Sequence, residues 1–180
     1  MLLDLVIDLF WPGGESKSLE RLDKHLTRGT LPVQWQLPGA FKRALNQSGW
    51  LDDEVVAAGM VTQGKPQSLF RMITGLALLE VLRPRRSKTL PKEFVLAVTA
   101  DRVIALALSP WKEGVGDSVD VVKIKNEQRG SWRRGHVRVI DPTTGRVQNG
   151  GDLDLAGEEQ FPFTWDGDDS TNELVELLNR

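Results

Sequence analysis

The sequence predicts an α+β fold: a bent antiparallel β-sheet, or partly open barrel, of about seven short strands, capped by a C-terminal helix and preceded by a helical N-terminal extension. Three observations carry this. The stretch from Phe94 to Leu108 alternates with a period of two and is interrupted only at Ala100-Asp101. Beyond it, short apolar runs recur, each bounded by Gly, Asp or Pro. The chain then closes on Leu174, Val175, Leu177 and Leu178, an apolar stripe at helical spacing behind Ser170 and Glu173, which are spaced as a capping box.

Taken in order, Leu2, Leu3, Leu5, Val6, Ile7, Leu9 and Phe10 surround Asp4 and Asp8, whose spacing puts both carboxylates on one side of a helix. Trp11-Pro12-Gly13-Gly14 stops it, and Ser18 caps a short helix carrying Leu19, Leu22 and Leu26. Thr27 to Pro38 reads as loop, broken by Gly29, Pro32 and Pro38. A helix over Pro38–Gln47 turns Phe41, Ala44 and Leu45 inward. Residues 1–48 are therefore expected as a helical extension and residues 49–180 as the β-domain.

Glu54–Gln63 reads as a strand that ends at Gly64. A helical insertion is expected over about 66–82, on Leu69, Phe70, Met72, Ile73, Leu76, Leu79 and Leu82, ended by Arg83-Pro84-Arg85-Arg86. Phe94–Val98 and Val103–Leu108 form a hairpin whose two apolar faces imply a central position in the sheet. Further strands are expected at Val119–Lys125, about Gly130–Trp132, His136–Ile140, Arg146–Gln148, Leu153–Leu155 and Phe161–Trp165, with a turn at Asp141-Pro142-Thr143-Thr144-Gly145. The closing helix spans 170–180. Its apolar stripe covers an otherwise open end of the sheet, so truncation at Asp169 is expected to unfold the domain.

Composition excludes whole classes of function. The chain has no cysteine, which removes disulfides, thiol nucleophiles, thiolate zinc sites and iron–sulfur clusters, and no tyrosine. A net charge of −2 argues against a nucleic-acid binder, which carries a basic excess. The charge is uneven: Val121–Arg146 carries Lys123, Lys125, Arg129, Arg133, Arg134, Arg138 and Arg146 against Glu127 and Asp141, whereas the last thirty residues or so are acidic. Met1–Trp11 contains two aspartates and lacks a basic leader, which argues against a secretory signal. No stretch reaches the ~20 apolar residues of a membrane span, so no transmembrane segment is expected. The expected location is the cytoplasm, with the inner membrane surface as a peripheral site.

The region from about Glu54 to Arg180 resembles the bacterial pleckstrin-homology-like domains, relatives of the PH/GRAM superfold. The likeness rests on Phe94-Val95-Leu96-Ala97-Val98-Thr99-Ala100-Asp101-Arg102-Val103-Ile104, an apolar strand, a threonine, an arginine and a second apolar strand, together with the helix Ser170–Arg180. The resemblance implies a bent barrel plugged at one end by that helix, and a binding role. The sequence departs from it in the helical preface and in the insertion after the first strand.

No catalytic or metal-binding constellation emerges, and no cofactor is expected. His25 and His136 are separated by most of the chain. Gly13-Gly14-Glu15-Ser16-Lys17-Ser18 lacks the phosphate-loop spacing, and Asp166-Gly167-Asp168-Asp169 lacks the calcium-loop ligand spacing. Asp52-Asp53-Glu54 supplies adjacent carboxylates that would point apart on a strand.

Two basic groups remain as binding candidates. Arg129, Trp132, Arg133, Arg134, His136 and Arg138 form a candidate patch for an anionic ligand. Arg83, Arg85, Arg86 and Lys88 form a candidate surface for a membrane or a partner. Three readings follow: a non-catalytic interaction module for a protein or peptide partner, with self-association through the apolar helices included; a peripheral binder of anionic lipid using segments 83–88 and 129–138; or an enzyme whose site has no recognisable motif.

Overall fold

The structure, a computed structural model, describes residues 29–64, 86–109, 121–144, 149–165 and 169–179. At its centre stand the two apolar runs singled out by their alternation. Strand β3 (Glu93–Val98) and strand β4 (Arg102–Leu108) pair antiparallel, with Val98 opposite Val103 and Phe94 opposite Ala107. The two-residue turn between them is closed by Thr99, whose N–H donates to the Arg102 carbonyl at 2.8 Å and whose Oγ1 accepts the Arg102 N–H at 3.2 Å. Phe94, Leu96, Val98, Val103 and Ala105 face one apolar core, and Val95, Ala97, Ile104 and Leu106 face another. A strand alternates its side chains across the sheet, so a strand apolar on both sides needs cover on both.

That cover comes from either end of the chain. Helix α1 (Ala40–Ser48) lies over one face, where its Phe41 and Leu45, with Leu31 and Val33 of the edge strand β1 (Thr30–Gln34), join the second core. Glycines in the left-handed conformation, Gly39 (φ 66°) and Gly49 (φ 64°), bound α1. Its last turn is tied down by Asn46, whose Nδ2 donates to the Val55 carbonyl at 3.1 Å while its Oδ1 accepts the Val55 N–H at 2.7 Å. Over the other face runs helix α2 (Asp169–Leu178), with Leu174, Val175 and Leu178 buried in the first core. Each such side chain withdrawn from water contributes about 1.5–3 kcal/mol.

The remaining strands are β2 (Ala57–Gln63), β5 (Val121–Arg133), β6 (Val137–Thr143), β7 (Asn149–Leu155) and β8 (Glu159–Trp165). All eight form one antiparallel sheet in the order β1-β5-β4-β3-β2-β8-β7-β6. Strands β5 and β6 stand far apart in this order, yet only the single-turn 3-10 segment Arg134–His136 joins them. So short a connection forces the sheet to curl until its two ends approach. Strands β2 and β8 share only the pairs Thr62 with Thr164 and Gln63 with Phe163. No pairing joins β5 to β6, so the sheet remains open there. Helix α2 packs on β2 and β6 and fills the concave side. Trp165 locks it, stacking on Phe163 at 5.1 Å between ring centroids and donating its indole N–H to Asn172 Oδ1 at 3.0 Å.

The antiparallel sheet, the central hairpin and the closing helix match the expectations from sequence; several details correct them. Among the described residues the strands number eight rather than about seven. The extra one is β1, placed where Thr27–Pro38 was expected to be loop. An edge strand tolerates Pro32 because one side of it needs no N–H donor. Of the expected strands Val119–Lys125 and Gly130–Trp132, the described residues Val121–Lys125 and Gly130–Trp132 are parts of one strand, β5, whose polar middle is carried through by register shifts opposite Ala105, Leu106 and Leu108. Of the expected turn Asp141–Gly145, Asp141–Thr143 form the irregular end of β6, with Asp141 at φ 49° and Thr143 Oγ1 donating to the Gly150 carbonyl at 3.0 Å, and Gly145 lies outside the described residues. The expected helices over Met1–Trp11, Ser18–Leu26 and 66–82, the strand Arg146–Gln148, the acidic turn at Asp166 and the Ser170 cap lie outside the described residues or side chains.

Candidate functional site

The β3–β4 turn and the β5–β6 turn lie side by side. Arg134 donates its N–H to the Asp101 carbonyl at 2.8 Å, stapling one turn to the other. Around this staple opens a groove of about 730 Å³ lined by Asp53, Ala100, Asp101, Arg102, Arg133, Arg134 and Gly135.

The register explains which side chains arrive there. Val103 and Trp132 are partners across β4 and β5, and both turn toward the first core. Their neighbours Arg102 and Arg133, also partners, therefore share the opposite face, where both are exposed. Two like charges directly opposed on one face of a sheet repel each other. Among the described residues none of Arg102, Arg133 and Arg134 forms an ion pair, although Asp53 and Asp101 line the same groove.

The patch expected from sequence is thus only partly gathered. Arg133 and Arg134 enter the groove. Arg129 lies at the register shift of β5 and bonds instead to Glu127, Nη2 to Oε1 at 2.8 Å. Trp132 is half-buried, its ring lying over Gly130, where a Cβ would overlap it. His136 is exposed at the end of the 3-10 turn, and its carbonyl accepts the Ala156 N–H at 2.7 Å. Arg138 is exposed on β6 opposite Asp154. Arg102 and Asp53 were not among the candidates. Nothing in sequence proximity links them to Arg133: the pairing of β4 with β5 brings Arg102 there, and the segment between α1 and β2 brings Asp53 to the same groove.

Of the second basic group, Arg83 and Arg85 lie outside the described residues, whereas Arg86 and Lys88 are exposed. Their segment is held by a polar clamp. Ser87 Oγ donates to Glu159 Oε2 at 2.7 Å, and the Lys88 N–H donates to Glu159 Oε1 at 2.8 Å. Gln63 completes it from β2, accepting the Ser87 N–H at 2.8 Å and donating to the Leu90 and Pro91 carbonyls at 2.9 and 2.8 Å. Partial burial pushes the Glu159 carboxyl up, but hydrogen bonds from Ser87, Lys88 and Thr89 and the Lys88 charge outweigh it and hold the group below its ordinary value.

Chemically the groove offers guanidinium donors and two carboxylates. Among the described residues that line it there is no histidine and no hydroxyl nucleophile. Among the described residues no group of three or more His, Asp or Glu is placed to hold a metal ion, and no helix is long and apolar enough to cross a membrane. No protein-family model matches this chain, and no curated protein is significantly similar to it in sequence.

Proposed function

We propose that this chain is a non-catalytic interaction module of PH-like architecture that binds a protein or peptide partner. The observation that carries the reading is that the domain's interior is solid on both faces of its sheet: β3 and β4 are buried on either side, by α2 on one and by α1, with side chains of the edge strand β1, on the other. Among the described residues the core side chains on both faces are closely buried, and the groove is an open surface feature. Protein partners are met on such surfaces. The seven strands β2 to β8, curled around α2, agree with what the PH-like resemblance implies; β1 then extends the sheet beyond β5, and α1 packs on its outer face.

The test is photo-cross-linking in the cells that make the protein, with a benzophenone side chain placed at Gly135 in the groove or at Arg138 on β6. A Cβ at Gly135 meets nothing within 4 Å, so the larger side chain fits there. A discrete protein adduct at either position is the expected result. Ultraviolet exposure that yields no adduct at both positions overturns the reading.

A further inference from the structure

We infer that the groove between the β3–β4 and β5–β6 turns is an oxyanion site that accepts one phosphate-type group; the inference deepens the binding-module reading and rests on it. Three features point there independently of composition. First, Arg102 and Arg133 are cross-strand partners on one face, and Arg134 follows at once on the turn, so three guanidinium groups belong to one short stretch of surface. Such a like-charge pair costs stability unless an anion sits between its members, and among the described residues no carboxylate forms an ion pair with either arginine. Guanidinium groups bond oxyanions by paired N–H donors, which makes arginine rather than lysine the residue for this task.

Second, the backbones that carry these arginines are fixed before any ligand arrives. Thr99, fully buried, bonds both to the N–H and to the carbonyl of Arg102, and the Arg134 N–H is held by Asp101. Turns stapled in this way lose little freedom on binding, and preorganisation of this kind raises affinity.

Third, the charge is matched to a single group. Three arginines against Asp53 and Asp101 leave the lining one positive charge in excess. That excess draws one phosphate monoester. It is too small for a polyanion, and the chain's net charge of −2 adds repulsion at longer range.

The phosphate would be carried either by a soluble molecule or by a lipid headgroup, and the experiment separates these sources. Inorganic phosphate is titrated into the ¹⁵N-labelled full chain at constant ionic strength, with amide shifts followed. The expected result is a saturable shift of Ala100–Arg102 and Arg133–Gly135, weakened about tenfold by either Arg102→Ala or Arg133→Ala, as the loss of a charge-assisted bond implies. Arg133→Lys, which keeps the charge and loses the fork, is expected to weaken it as well, whereas Lys123→Ala, at the exposed start of β5 and outside the groove, leaves it unchanged. Parallel sedimentation uses phosphatidylcholine vesicles with and without phosphatidic acid. Phosphatidic-acid-dependent binding lost in the Arg102→Ala/Arg133→Ala double variant identifies the lipid source, and phosphate shifts without vesicle binding identify a soluble one. No saturable shift, or shifts indifferent to the double variant, overturns the site, as does vesicle binding that survives it. A photo-adduct without phosphate shifts would sink the oxyanion site and leave the module reading standing; phosphate shifts without an adduct would do the reverse.

Discussion

Gly59 on β2 and Thr171 on α2 meet with no room for a methyl group between them: a Cβ at Gly59 would lie 2.9 Å from both the Cβ and the Cγ2 of Thr171. Thr171 is fully buried, so it has nowhere to retreat. This contact sets how deeply the helix seats in the concave side of the sheet. Gly59→Ala is expected to cost about 1–3 kcal/mol by overpacking. The same substitution made in a Thr171→Ala background, which removes the two outer atoms, should cost less. Urea unfolding of the four proteins of this cycle measures the difference; strict additivity would mean that the contact does not govern the helix.

Asn46 holds α1 to the entrance of β2 by satisfying both backbone groups of a fully buried residue, Val55. Asn46→Ala leaves a buried N–H and a buried carbonyl without partners, at a cost of about 1–3 kcal/mol. Thermal melts followed by far-ultraviolet circular dichroism report it, and an unchanged midpoint would contradict the clamp.

The Glu159 clamp gives stability a defined acid limb. The folded-state carboxyl titrates below its ordinary value of 4.5, so its contribution is fully present above that value and is lost as pH falls through the lower folded value. Near neutrality the wild-type chain therefore gains nothing from further increases in pH through this group. Glu159→Gln is expected to lower stability by about 1 kcal/mol at neutral pH and to flatten the decline below that range. Unfolding free energies measured from pH 7 down to pH 3 distinguish the two proteins, and parallel curves would refute the assignment.

Arg102 and Arg133 oppose each other across β4 and β5. Arg133→Glu turns a repulsive pair into an attractive one and is expected to raise stability by about 0.2–1 kcal/mol while abolishing the phosphate-dependent shifts. A gain in stability coupled to a loss of binding is the signature of a charge retained for recognition. A loss of stability in this variant would show the arginine to be structural.

What was legible in the sequence depended on local pattern. Phe94–Val98 and Val103–Leu108 are short unbroken apolar runs parted by a polar turn, and Leu174, Val175 and Leu178 recur at helical spacing, so these elements could be assigned from neighbours alone. Strand β1 could not. Gly29, Pro32 and Pro38 are loop signals in isolation, and Thr30–Gln34 becomes a strand because Leu31 and Val33 find Ile124 and the outer face of the sheet. The polar run Asn126–Arg129 hid the continuity of β5, since its strand state is imposed by pairing with β4 and not by its own propensity. In the groove, Arg133 and Arg134 were visible as adjacent basic residues, whereas Arg102 entered only through register.

By itself, then, the sequence determined the α+β class, the central hairpin, the amphipathic closing helix and the absence of any thiol chemistry, because each follows from residue type and short-range periodicity. Tertiary structure alone decided that the sheet curls until β5 and β6 meet at a single turn, that β1 extends it while α1 covers its outer face, and that three arginines from two strands and a turn converge. Those outcomes depend on which strand edges pair and in what register, and hydrogen-bonded pairing between distant segments leaves no local trace in the order of residues.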